Sequence, residues 1–227
     1  MSLSSSTAAP VSAPSSGPSG DTNFRTKVFG IGFQKTGTTS LGCALEQLGY
    51  RVRGVLDFWE ENIPEFIAQE ALELVEDCDA VQDNPWPVLY RELDRRYPGS
   101  KFILTVRPTD RWIASVVKHF GRRSTPMREW VYGTRRPRGN ENVYIERYDR
   151  HNREVQAYFA NRPTDLLIMD VSAGDGWDVL CPFLDVEMQT TPFPRANDAS
   201  SRRRQRLRRY VNQPSKSICR LFQSYWR

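Results

Sequence analysis

Residues 32–40, Gly-Phe-Gln-Lys-Thr-Gly-Thr-Thr-Ser, constrain this chain more than any other stretch. An apolar, β-type run precedes them (Lys27-Val28-Phe29-Gly30-Ile31), and a helical spacing of Leu41, Ala44, Leu45 and Leu48 follows. A strand, a glycine-containing turn and a hydroxyl-rich helix start direct backbone N–H groups and the positive end of a helix at one point, which suits an anion. The frame Gly32…Gly37-Thr38-Thr39 fits the nucleotide-binding pattern G-x-x-x-x-G-K-[ST] except that Thr38 stands where lysine belongs. Lys35 lies inside the loop instead, which disfavours an ordinary nucleotide triphosphatase and favours a relative with another phosphate-linked donor.

Beyond this loop the pattern alternates between short apolar runs and amphipathic segments, as an α/β domain requires. Strands are expected at 28–31, 50–52, 80–82, 101–106 and 166–171, and helices at 39–48, 65–78, 88–97, 110–120, 144–159 and 177–184. Thr109 or Asp110 reads as the cap of the fourth helix. The stretch 121–139 has no clean period and reads as a lid or substrate loop. The fold class is therefore α/β, three layers, with a central parallel sheet of about four or five strands between helices.

Residues 1–24 are rich in Ser, Pro and Ala and hold a single charge, Asp21, as a disordered tail does. A transit peptide is the sharper reading of that tail, weakened by the absence of arginine before Arg25. Residues 25–198 read as the domain and 199–227 as a basic helical segment. The net charge of +5 conceals an asymmetry. Nine of the 32 basic residues lie between Ser200 and Arg227 with no acidic one; the other 23 face all 27 acidic residues, a balance of −4. No apolar run approaches the ~20 residues of a membrane span, and no secretory signal is evident. The four cysteines are scattered without metal spacing, and Cys43 and Cys181 sit in apolar helical patterns, where a buried thiol is expected. These features together predict a cytoplasmic protein without a metal.

Three motifs in order resemble a known family. The loop Gly32-Phe-Gln-Lys35-Thr36-Gly37-Thr38-Thr39-Ser40 is similar to the 5′-phosphosulfate loop of sulfotransferases that use 3′-phosphoadenosine 5′-phosphosulfate (PAPS), which carry the lysine at this position. Lys101-Phe-Ile-Leu-Thr-Val-Arg107 with Ser115 resembles their 3′-phosphate motif, a strand ending in arginine with a serine eight residues later. Leu166-Leu-Ile-Met-Asp170, Gly174-Asp-Gly-Trp177 and Phe193-Pro-Arg-Ala-Asn197 resemble a soluble subfamily.

The resemblance implies sulfuryl transfer from PAPS to a hydroxyl or amine. Lys35, Thr36, Gly37, Thr38, Thr39 and Ser40 would hold the 5′-phosphate, and Arg107 and Ser115 the 3′-phosphate; Lys35 would also balance the charge of the leaving phosphate. Cytosolic relatives use a histidine ahead of the 3′-phosphate arginine, but here that neighbourhood is Val81-Gln82-Asp83-Asn84-Pro85-Trp86. Asp83 is the candidate base, with turn chemistry or a helix cap as its other reading. His119, one helical turn after Ser115, and His151 compete for the role. Asp170 ends a core strand where α/β sheets bind ligands, or simply turns the chain. Arg195 and Asn197 follow a Pro-containing turn that is expected near the nucleotide.

The acceptor is expected to be a small molecule, glycan or lipid; Trp59, Trp86, Trp130 and Tyr132 line an apolar pocket or belong to the core. No specific nucleic-acid partner is expected. Two readings compete with sulfuryl transfer. One is a P-loop kinase or hydrolase. The other is a nucleic-acid or anionic-membrane binding protein that uses Arg202–Arg209 beside a non-catalytic domain.

Overall fold

The computed structural model describes residues 26–56, 62–67 and 71–195. Five short strands form one parallel sheet: β1 (Val28–Gly30), β2 (Val52–Arg53), β3 (Ala80–Val81), β4 (Lys101–Thr105) and β5 (Leu166–Met169), in the order β2-β3-β1-β4-β5. The central register sets Val28 between Ala80 and Lys101, and Phe29 between Val81 and Phe102. The inner strands are apolar on both faces because both faces are covered.

Successive side chains of a strand point to opposite faces, and the core divides accordingly. Val28, Ile103 and Met169 pack with Leu41, Ala44 and Leu45 of α1 (Thr38–Gln47) and with Leu180 of a helix at Trp177–Leu184. Phe29, Phe102 and Leu104 pack on the other face. There they meet α2 (Ile63–Phe66), α3 (Tyr90–Arg96), α4 (Thr109–Phe120), α5 (Pro126–Tyr132) and α6 (Glu141–Tyr158). The Trp177–Leu184 helix is α7. Three layers result, with a five-stranded parallel sheet in the middle.

The loop after β1 leads to α1 on one face, whereas the chain leaving β3 and β4 turns to the other. Oppositely directed loops part at the carboxyl end of β1 and leave a crevice there, the usual ligand position of open α/β sheets.

Five local expectations are corrected. The helix expected at 65–78 is a short α2 followed, after residues outside the description, by a 3-10 turn at Glu73–Val75. Near its end the Lys27 ammonium takes the Val75 and Cys78 carbonyls at 2.8 and 2.7 Å, and the Asp79 N–H donates to the Arg51 carbonyl just before β2. The helix expected at 88–97 begins as a 3-10 turn, Trp86–Leu89. The stretch 121–139 contains α5, whose start is fixed by the Thr125 hydroxyl accepting the Arg128 N–H and by Pro126 in its first turn. Neither Thr109 nor Asp110 caps α4; the Thr109 hydroxyl donates to Asp149 Oδ1 on α6 at 2.8 Å. Cys181 is buried as expected, but Cys43 is only half-buried.

The tail at 1–24, Trp59, Asn197 and the basic segment 199–227 lie outside the described residues. Among the described residues no helix is long and apolar enough to cross a membrane.

Candidate active site

The β1–α1 loop is held in a shape that presents its N–H groups. Lys35 and Gly37 take positive φ, 74° and 109°. Such alternation gathers successive N–H groups into an anion-binding concavity. Gly32 and Gly37 are required sterically. A Cβ on Gly32 would lie 2.1 Å from Thr105 Oγ1 and 2.4 Å from the Thr105 carbonyl oxygen; one on Gly37 would lie 2.9 Å from Val171 Cβ. Helix α1 starts at Thr38 with no side-chain cap and no acidic residue of its own in its first turn, so its positive end suits an anion.

Threonine hydroxyls bolt the loop to β4. Thr36 Oγ1 donates to the Phe33 carbonyl at 2.6 Å and meets Thr105 Oγ1 at 2.6 Å. Since a hydroxyl has one proton, Thr105 is the donor in that second bond. Thr36 is 1% exposed, and its hydroxyl serves to hold the loop's shape.

Arg107 stands just beyond the end of β4. Its N–H donates to the Tyr148 hydroxyl, and that hydroxyl donates to the Arg107 carbonyl, both at 2.9 Å, fixing the residue from both ends of its peptide. Its guanidinium reaches the Lys35 carbonyl at 3.5 Å, while its Nε is buried without a hydrogen-bond partner. A buried donor left unpaired costs roughly 1–3 kcal/mol, which an incoming acceptor group recovers. Trp112 braces the same corner: it stacks on Tyr148 with ring centroids 4.1 Å apart and donates its indole N–H to the Gln34 carbonyl at 2.9 Å.

Asp83 follows β3 with φ 71° and faces α1. Its Oδ2 accepts from Thr38 Oγ1 at 3.2 Å and its Oδ1 accepts from the Asn84 N–H at 2.7 Å. The structure thus brings Lys35, Thr36, Gly37, Thr38, Asp83 and Arg107 to one crevice. Thr39 is exposed, Ser40 buried at the same helix start, and Ser115 half-buried on α4.

The histidines are placed elsewhere. His119 is exposed in the last turn of α4, its ring edge-on to Phe120. Ten residues separate it from Thr109, about 15 Å of helix axis. His151 is 1% exposed, stacks on Phe33 with centroids 4.3 Å apart, and donates from Nε2 to the Ile31 carbonyl at 2.8 Å. Burial lowers its pKa to about 4, so it is a neutral strut beneath the loop. Asp170 is a turn residue, its Oδ1 accepting from Ser172 and Ala173 N–H groups. Trp86 is fully buried and donates to the Gly54 carbonyl, so it is core; Tyr132 is buried and stacks on Tyr144, with its hydroxyl unpaired. Arg195 is exposed. Among the described residues no three His, Cys, Asp or Glu side chains form a metal-binding group.

The sulfotransferase domain family matches residues 27–137 and 124–202, spanning every element described above. This chain belongs to the sulfotransferase family. A curated relative, "Ava biosynthesis cluster protein M" of Aspergillus versicolor, is 26% identical over 211 residues, covering 74% of this chain and 79% of the relative. Sequence reading passed over Gln34, Asn84, Tyr90 and Arg147, which surround the loop from below. Within 121–139, the Thr125-Pro126 start and the Gly133 stop of α5 were the available signals.

Proposed function

We propose that this sulfotransferase-family protein is an enzyme that transfers a sulfuryl group from PAPS to a hydroxyl or amine acceptor. The observation that carries the reading is Arg107: a guanidinium with a buried, unpaired Nε, 3.5 Å from the backbone of the lysine loop. One cation thereby adjoins two anion-binding ends, as a donor with phosphates at both 3′ and 5′ positions requires.

The residues present fit that donor. The Lys35–Ser40 loop and the uncapped start of α1 suit the 5′-phosphate, and Arg107 with Ser115 suits the 3′-phosphate. When bound, the donor supplies the sulfuryl group and departs as the bisphosphate. Lys35 holds positive charge against the leaving phosphate oxygen, where charge develops. Asp83, on the β3 side of the loop, accepts the proton of the acceptor hydroxyl or amine and aligns it for in-line attack. Thr38 orients that carboxylate, because its hydroxyl donates to Oδ2.

Calorimetric titration with 3′-phosphoadenosine 5′-phosphate and with ADP, on wild type and Arg107→Met, tests the reading. Micromolar affinity for the bisphosphate, at least about tenfold weaker binding of ADP, and loss of that preference in the variant are expected, since a charge-assisted bidentate contact contributes roughly 1.5–3 kcal/mol. Equal affinity for the two nucleotides, or none for either, refutes it.

A further inference from the structure

Among the described residues, eight side-chain polar atoms are buried without a hydrogen-bond partner, and four of them come from the lysine loop and the segments packed near it. They are Gln34 Nε2, Asn84 Oδ1, Tyr90 Oη and Tyr132 Oη, from the loop, the turn after β3, α3 and α5. Buried polar groups are nearly always paired, so four together are a feature to explain. Tyr132 sits edge-on to Phe33 with centroids 5.0 Å apart, and the Tyr90 ring lies 6.0 Å from His151, which stacks on Phe33. Gln34 and Asn84 both influence the Tyr132 phenol, as does the charge of Asp83, yet neither amide makes a hydrogen bond of good geometry with it. Burial raises both phenols above their ordinary pKa, so each keeps its proton and can donate.

A cation closes the group. Arg147 on α6 lies 5.4 Å over the Phe33 ring and donates from Nε to the Val131 carbonyl at 3.0 Å. It forms no ion pair among the described residues. A half-buried guanidinium without a carboxylate is costly and calls for an anion. Two phenols, an amide N–H and a guanidinium form a donor-rich set, and Asp83 stands at its edge.

We propose that this cluster is the acceptor subsite, and that it takes a small hydroxylated acceptor bearing a carboxylate or comparable anion. The inference rests on the donor reading above, which places the reacting atoms between Lys35 and Asp83. The acceptor approaches from the β3 side, opposite Arg107, with its anion toward Arg147 and Tyr132 and its hydroxyl toward Asp83. Asn84 Oδ1, which can only accept, receives a second hydroxyl or N–H of the ligand.

The test uses the whole protein saturated with 3′-phosphoadenosine 5′-phosphate. A set of phenolic acids (4-hydroxybenzoate, 4-hydroxyphenylacetate and 3-(4-hydroxyphenyl)propanoate) is titrated against their methyl esters, on wild type, Arg147→Met and Tyr132→Phe. At least one acid is expected to bind about tenfold or more tightly than its ester, the preference disappearing in Arg147→Met and falling several-fold in Tyr132→Phe. Bisphosphate affinity is expected to be unchanged in both variants, which reports that they are folded. Acids and esters binding alike, no acid or ester binding to a protein that does bind the bisphosphate, or a preference that survives Arg147→Met each overturn the inference. Failure of the bisphosphate itself to bind removes the donor reading, and this one with it.

Discussion

Protonation of His151 should loosen this fold at mildly acidic pH. The ring is 1% exposed, and burial lowers its pKa from 6.5 to about 4. The folded state therefore resists the proton that the unfolded chain binds from about pH 6.5 downward. In this window the unfolded chain carries more protons, so stability rises with pH; it is fully present above about 6.5 and lost as pH falls toward 4. The ceiling is about 3 kcal/mol, from a difference near 2.5 pH units at 1.36 kcal/mol each. Between pH 7.5 and pH 5 the expected loss from this group is about 2 kcal/mol, since folded His151 is still largely neutral at pH 5.

The assay is urea unfolding at both pH values for wild type and His151→Gln, whose amide retains a donor for the Ile31 carbonyl. The chain has only two histidines, and His119 is exposed, so the difference between the two proteins isolates His151. Wild type should lose about 2 kcal/mol more than the variant over this interval. An NMR titration placing folded His151 above pH 6, or equal losses in both proteins, refutes the assignment of a neutral strut.

Two further outcomes follow from the site. Gly32→Ala forces a Cβ to 2.4 Å from the Thr105 carbonyl oxygen, backbone that cannot swing aside, and should cost about 2 kcal/mol or more in urea unfolding; a cost under about 0.5 kcal/mol contradicts the close approach of loop and strand. Asp83→Asn should leave bisphosphate affinity within about twofold while slowing bisphosphate production from PAPS, measured with a mixed acceptor library, by about a hundredfold; undiminished production removes Asp83 as the base.

Where sequence and structure agree, the reason is local. The run 101–106 is apolar, β-branched and bounded by turn residues, and it forms β4 almost as expected. The loop 32–40 was legible because its glycines answer to immediate neighbours, Thr105 and Val171. The helix expected at 65–78 is a short α2 and a 3-10 turn instead, and Lys27, some fifty residues away in sequence, holds the Val75 and Cys78 carbonyls there. Periodicity carries no information about such a distant partner. The acceptor-side cluster was hidden for the same reason: Gln34, Asn84, Tyr90, Tyr132 and Arg147 come from five segments, and no spacing links them. His151 read as a candidate base by residue type alone, whereas its stacking on Phe33 makes it a strut.

The pair of threonine hydroxyls at Thr36 and Thr105, 2.6 Å apart and both buried, makes the crevice a caliper. One jaw is the lysine loop, the other is Arg107 two residues past Thr105, and a single short bond at the hinge sets the opening. A caliper gauges length before it reads chemistry. On this view a nucleotide is sorted first by the span between its two charged ends, and base identity enters only afterwards. Lengthening that span by one bond should be resisted more strongly than exchanging adenine for another purine.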